Sequence, residues 1–290
     1  MDLAARHRAI ADLAALARPE PPVALTIAGV DSGGAAGVAA DLETFSAHGV
    51  YGTLVVTALT AQDTTKVHGA LGVEPAFLAL QLDAVLGDFP VRAVKTGMLA
   101  SSALIDEVTR RASQGALSPL VVDPVMIATS GATLVEGDAA AAFRRLLAHA
   151  SVATPNLAEA EALLERPVRT RAQMADAARA LQDLGCGLVV VKGGHLDPAG
   201  SCDVCFDGTD LVELEGVHVP TRNVHGTGCT LSAAIAANLA LGRTPLESVA
   251  AAKDYVTAAL ARAASWNLGA GPGPLDRLCP PPDATAGPPT

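Results

Sequence analysis

Short runs rich in Val, Leu and Ile recur along the chain with helix-length segments between them, and this alternation constrains the fold more than any other feature. Residues 23–28, 53–59, 93–96, 120–123, 152–154 and 188–192 have strand character, while 37–48, 75–86, 104–113, 139–148 and 172–184 carry helical patterns. A strand that is apolar on both faces must be covered on both. The pattern therefore predicts an α/β fold, a three-layer α/β/α sandwich around a central, mostly parallel sheet. Residues 204–219 break the rhythm and predict an antiparallel edge hairpin around Asp207 and Gly208. Two late helices follow. The first, 229–241, ends at Gly242 in the position of a left-handed cap. The second starts at Thr244-Pro245, with Glu247 as its capping-box acid, and runs to about Ala264. With no internal repeat and no long linker, one domain is expected over residues 23–279. Residues 1–22 are expected to form an amphipathic helical extension, and the Pro-rich residues 280–290 a disordered tail.

Composition narrows the classes of partner. Half of the 290 residues are hydrophobic, enough for a full core, but aromatic residues are only 3%, so Ala, Val and Leu must build it. A formal net charge of −10 argues against nucleic acid or an anionic membrane as partner, since both reward a basic stripe. Five cysteines in a chain of this length do not read as a disulfide framework. Cys202 and Cys205 form a C-x-x-C without a second pair, so no zinc site is expected there. No apolar run reaches the ~20 residues of a membrane span, and the N-terminal segment lacks a signal-peptide core. A soluble, cytoplasmic protein is expected.

The most informative stretch is His225-Gly226-Thr227-Gly228-Cys229-Thr230-Leu231-Ser232, where two glycines flank a threonine at the start of an Ala-rich helix. A helix start presents unpaired N–H groups and the positive end of the helix dipole, which together hold anions. Its plain alternative is a Gly-rich turn with Thr227 or Thr230 as cap. Cys229 falls in the first turn, where the same field should lower a thiol pKa toward neutrality and equip it to take or polarise a hydroxyl proton. Its alternative is a small cysteine packed under the helix. Neither G-x-x-x-x-G-K-[ST] nor a strand-linked G-x-G-x-x-G occurs, which argues against P-loop NTPases and dinucleotide-dependent dehydrogenases.

Other residues gather at strand ends, where open α/β sheets bind ligands. The first strand runs into Gly29-Val30-Asp31-Ser32-Gly33-Gly34, followed by a helix carrying Asp41, which either meets a ligand or complements the helix dipole. Gln62, after the second strand, offers a donor and an acceptor in one plane, suited to the edge of an aminopyrimidine; the alternative is a loop glutamine. Asp123-Pro124-Val125-Met126 ends another strand. Asn156 and Glu159 have capping-box spacing and could also organise Mg²⁺. Lys192-Gly193-Gly194 sets an ammonium at a strand end, either for a phosphate or for solvent.

Taken together, these segments resemble the hydroxymethylpyrimidine/phosphomethylpyrimidine kinases of thiamine biosynthesis, in the ribokinase-like superfamily. The resemblance rests on Leu25-Thr26-Ile27-Ala28-Gly29, Thr57-Ala58-Leu59-Thr60-Ala61-Gln62, Lys95-Thr96-Gly97-Met98-Leu99, Asp123-Pro124-Val125-Met126, Thr154-Pro155-Asn156, Lys192-Gly193-Gly194-His195 and the stretch from His225, in that order. It implies a ribokinase-like homodimer that uses ATP and Mg²⁺, with a monovalent cation as a further candidate. The implied reaction phosphorylates 4-amino-5-hydroxymethyl-2-methylpyrimidine and then its monophosphate. The resemblance assigns Gln62, Asp41, Gly29, Met98 and Val125 to the pyrimidine, and Cys229 to the place of a catalytic aspartate. It makes Gly226, Thr227 and Gly228 the anion hole, with Lys192 beside them. Lys192, Asn156, Glu159, Asp123 and Thr227 would serve ATP, and Glu159 and Asn156 would serve Mg²⁺ through water. The usual pattern is departed from at Val30, Ala35, Ala39, Asp63, Thr129 and Val224. Two competing readings are a pyridoxal/pyridoxine kinase of the same fold and a catalytically inactive pyrimidine sensor. Gln62 and the Lys192-Gly193-Gly194-His195 form argue against the first. The joint presence of Cys229, Lys192, Asn156 and Glu159 argues against the second.

Overall fold

The computed structural model describes residues 19–126, 138–194 and 200–282. The expected N-terminal helix, Thr129, His195 and all but the first residues of the expected tail lie outside the described residues. Nine strands form one sheet: β1 (Val23–Asp31), β2 (Tyr51–Gln62), β3 (Val67–Gly72), β4 (Val91–Thr96), β5 (Leu120–Val122), β6 (Val152–Ala153), β7 (Leu188–Lys192), β8 (Gly200–Phe206) and β9 (Leu211–Val217). Their order is β3-β2-β1-β4-β5-β6-β7-β8-β9. The six strands from β2 to β7 pair in parallel, while β3, β8 and β9 are antiparallel. The expected mostly parallel sheet is therefore present.

Eight described helices cover the two faces: α1 (Gly37–Ala47), α2 (Pro75–Asp88), α3 (Ser102–Ser113), α4 (Ala139–Leu147), α5 (Leu157–Leu164), α6 (Arg171–Gln182), α7 (Thr227–Ala240) and α8 (Pro245–Ala263). Alternate strand residues feed two separate cores, as the two-residue period of a strand requires. Leu25 and Ile27 of β1 join a cluster with Leu78, Leu82, Leu104, Phe143 and Met174. Ala24 joins the opposite cluster with Phe45, Ile235, Val249 and Tyr255. Most of α7 is buried, and its run of alanines lets it lie close beneath the sheet.

Three elements depart from the sequence reading. The β8–β9 hairpin begins at Gly200 instead of 204, because Asp203 sits buried within β8 and interrupts the apolar signal. Edge strand β3 was not expected: apart from Val67, all of its residues are exposed and two are glycines, so no apolar alternation announces it. Helix α5 is only 8 residues long, and its capping box was the only signal it gave.

Candidate active site

The carboxyl ends of β1, β4, β5, β6 and β7 lie side by side, because parallel neighbours all point the same way. Facing them is the start of α7. Gly226 takes a left-handed conformation (φ +85°) as N-cap, and no side chain caps the helix. A methyl group on Gly226 would fall 1.8 Å from the carbonyl oxygen of Ala35. Only glycine lets the two glycine-rich loops meet there. The threonine cap of the alternative reading is absent. Thr227 Oγ1 donates to Val224 O (2.6 Å) and Thr230 Oγ1 to Gly226 O (2.8 Å); the Thr227 amide also donates to Val224 O (3.2 Å), so the Gly228 and Cys229 amides are the ones left for a ligand.

A cavity of about 530 Å³ opens at this junction and joins Gly29, Gln62, Met98, Asp123, Val125, Asn156, Glu159, Lys192 and residues 226–229. All the sequence-predicted site residues line it except one. Asp41 is fully buried on α1, bonded to Lys95 Nζ at 2.8 and 2.9 Å and accepting from Thr26 Oγ1 at 2.6 Å. It is absent from the cavity wall, so the expectation that it lines the pyrimidine pocket is corrected. An aspartate one turn into a helix points to the sheet when a strand lysine waits there, and sequence spacing does not reveal that partner.

At one end, Gln62 and His225 meet, with Nε2 to Nε2 at 3.2 Å. Asp31 stands 3.6 Å from His225 and accepts from the amides of Gly33, Ala35 and Ala36, which folds the first loop around its carboxylate. Burial lowers the His225 pKa, Asp31 opposes this, and Arg277 adds to it. Gly29 lies under the Met98 methyl, where a side chain of its own would collide.

In the middle, Lys192 Nζ donates to Asp123 at 2.9 Å and stands 4.0 Å from Glu159. Burial alone would depress the ammonium, but Asp123 and Glu159 outweigh it and hold its pKa above the usual lysine range. A methyl group on Gly228 would stand 3.3 Å from Lys192 Nζ, so the amine lies directly against the start of α7. Asn156 and Glu159 do form the reciprocal capping box. Glu159 is nonetheless buried, and burial pushes its pKa up to about 7 against the opposing pull of Lys192. The Glu159 and Asp123 carboxylates thus set hard oxygen donors on either side of the Lys192 ammonium, the donor type that Mg²⁺ takes.

Cys229 is half-buried on the cavity wall. Its pKa is raised by burial, with Lys95 pulling it down, Asp41 and Asp123 pushing it up, and the Gly37 amide donating to the sulfur. The expected lowering by the helix start is therefore overturned, because desolvation of the thiolate outweighs the dipole.

Sequence reasoning missed the far end of the cavity, where Val217, Val219, Val256 and Leu260 make an apolar slot beside the buried Lys253–Asp203 pair (2.7 Å). Asp203 also accepts from the Gly193 amide at 3.0 Å, fixing the turn after Lys192. A buried aspartate in an otherwise apolar strand was the one signal available.

Residues 31–276 match the family described as phosphomethylpyrimidine kinase. A relative from Rhizobium meliloti (strain 1021), named hydroxymethylpyrimidine/phosphomethylpyrimidine kinase, is 49% identical over 258 residues, spanning 87% of this chain and 96% of its own. Among solved structures, an ADP complex of Bacillus subtilis pyridoxal kinase has a TM-score of 0.82 at 35% identity, covering 89% of this chain and 98% of that one. The phosphomethylpyrimidine kinase of Clostridium difficile 630 has a TM-score of 0.73 at 38% identity, covering 82% and 99%. Motif order, sheet topology and these similarities agree: the chain belongs to the phosphomethylpyrimidine kinase family.

Proposed function

We propose that this chain transfers the γ-phosphoryl group of ATP to 4-amino-5-hydroxymethyl-2-methylpyrimidine and then to its monophosphate, giving the diphosphate used in thiamine biosynthesis. The observation that carries this reading is a single cavity joining Gln62, Cys229, Lys192 and the uncapped start of α7. A flat heterocycle fits between Gly29, Met98 and Val125, with its polar edge on Gln62. Its hydroxymethyl group then faces Cys229. The triphosphate lies along Lys192 and the amides of Gly228 and Cys229, and the base enters the slot of Val217, Val219, Val256 and Leu260.

Phosphoryl transfer is catalysed mainly by positioning and by neutralising charge on the transferred group. Lys192 and the α7 amides supply that neutralisation. Cys229 takes the hydroxyl proton as the oxygen–phosphorus bond forms. Asp123, Glu159 and Asn156 would hold Mg²⁺, which when bound offsets phosphate charge and orients the transferred group. The reading includes a homodimer, supported by Leu59 and Leu71, which face each other across the β2–β3 pair and are 51% and 68% exposed.

A coupled ADP-release assay with the pyrimidine alcohol, its monophosphate and pyridoxal tests the proposal. Turnover of both pyrimidines is expected, with the alcohol preferred over pyridoxal in kcat/KM. Release of ADP with pyridoxal alone would reassign the chain to the competing vitamin kinase, and tight pyrimidine binding without any ADP release would make it a sensor.

A further inference from the structure

Arg277, in the segment after α8, takes no part in the reaction described above and does not line the cavity, yet it lies directly behind the anion-binding turn. It is 2% exposed. Its Nε donates to Glu43 of α1 at 2.9 Å, and its Nη2 to the carbonyl oxygen of Gly34 in the first loop at 3.1 Å. Its own carbonyl oxygen accepts from Tyr255 of α8 at 2.9 Å, which locks the backbone that carries it. The third nitrogen, Nη1, is buried without a partner among the described residues. It stands 3.5 Å from the point where a side chain on Gly226 would begin. A buried guanidinium normally fills all its donor positions, and one left open toward a turn whose amides await an anion is matched to that anion's charge.

The geometry points to Arg277 as a positioning residue for phosphoryl transfer: its fork pins the first glycine loop against the Gly226 turn, and its charge stands fixed behind the anion-binding amides. Two features make this more than a structural brace. Glu43, the carboxylate bonded to Arg277 among the described residues, is 43% exposed, so water weakens its pull and it cancels the guanidinium field only in part on the buried side. His225, immediately before the turn, already feels that field as a depression of its own pKa, after burial and against Asp31. A fixed cation in a dry layer needs no reorganisation when phosphate charge arrives.

This inference rests on the phosphoryl-transfer reading, so its test carries one arm that does not. The full chain and two variants, Arg277→Gln and Glu43→Gln, are compared in the ADP-release assay with the pyrimidine alcohol. All three are also titrated calorimetrically with inorganic pyrophosphate alone. Arg277→Gln is expected to lower kcat about tenfold with the pyrimidine KM within twofold, and to weaken pyrophosphate binding about fivefold. Glu43→Gln removes the screening carboxylate and is expected to tighten pyrophosphate binding two- to threefold, a sign that a simple brace does not produce. A folded Arg277→Gln protein with kcat and pyrophosphate affinity within twofold of the parent overturns the inference. Should Arg277→Gln fail to fold, Glu43→Gln decides, and unchanged or weaker pyrophosphate binding overturns it. If the parent releases no ADP but the pyrophosphate arm behaves as stated, the reaction assignment falls and Arg277 stands only as a fixed charge behind an anion-binding turn.

Discussion

Cys229 and Asp41 illustrate how far a residue's chemistry depends on its neighbours. Burial keeps the resting Cys229 thiol protonated at neutral pH, so the form able to accept a proton is the minor thiolate. Because the pKa is raised above its ordinary value, that fraction keeps growing with pH beyond the usual thiol range. The rate is therefore expected to climb through pH 9 in the parent protein. Cys229→Ala should lower kcat by about 10²–10⁴ and flatten this alkaline limb, measured as kcat against pH with saturating ATP. Asp41 poses the opposite case, a carboxylate expected at the ligand and found under the floor. Its removal leaves the Lys95 ammonium buried and uncompensated, as neither side chain is exposed. Asp41→Ala should destabilise the fold by about 3–5 kcal/mol in urea denaturation. If Asp41 served the pyrimidine instead, the same change would raise KM and leave the denaturation midpoint in place.

At the scale of elements, the site is a meeting of loops with one helix start. The β1–α1 loop wraps the Asp31 carboxylate, and its Ala35 carbonyl presses on Gly226. Behind them, the segment following α8 is hydrogen-bonded to His225 through Gly273 and to the first loop through Arg277. Gly226→Ala would need both a left-handed backbone at a non-glycine residue and a retreat of Ala35, since its methyl would meet that carbonyl at 1.8 Å. The strained conformation alone costs about 1–3 kcal/mol. The collision moves the α7 amides away from the phosphoryl position. Loss of at least 10²-fold in kcat is expected, with a fall of several degrees in Tm; an active, equally stable variant would show that the close approach of the loops is not needed. The capping box of α5 makes a related point. The same two side chains that start the helix bring Glu159 to Lys192 and Asp123, so a local folding signal also builds a polar cluster.

At the scale of the whole molecule, the parallel sheet collects six strand ends at one edge and leaves β3 as an exposed margin on one flank. Leu59 and Leu71, opposite each other on that margin, are the apolar pair a second copy would cover. With the proposed homodimer formed there, Leu71→Glu should give a monomer by light scattering while the pyrimidine KM changes little; a parent that is itself monomeric, or a variant that stays dimeric, would remove this margin as the interface. The alternation of apolar runs and helical segments was enough to define the sheet, its layers and most strands, because burial on both faces writes an unbroken hydrophobic signature. The glycine-flanked start of α7 and the polar residues at strand ends were legible for the same local reason, since turns and helix starts depend on nearby residues. Only tertiary packing decided that Asp41 belongs to Lys95, that Cys229 has a raised pKa, that Asp203 and Lys253 pair across 50 residues, and that Arg277 stands behind Gly226. Each depends on the distance between charges brought together by the fold and on the water excluded from between them, and neither quantity is encoded in the spacing of residues along the chain.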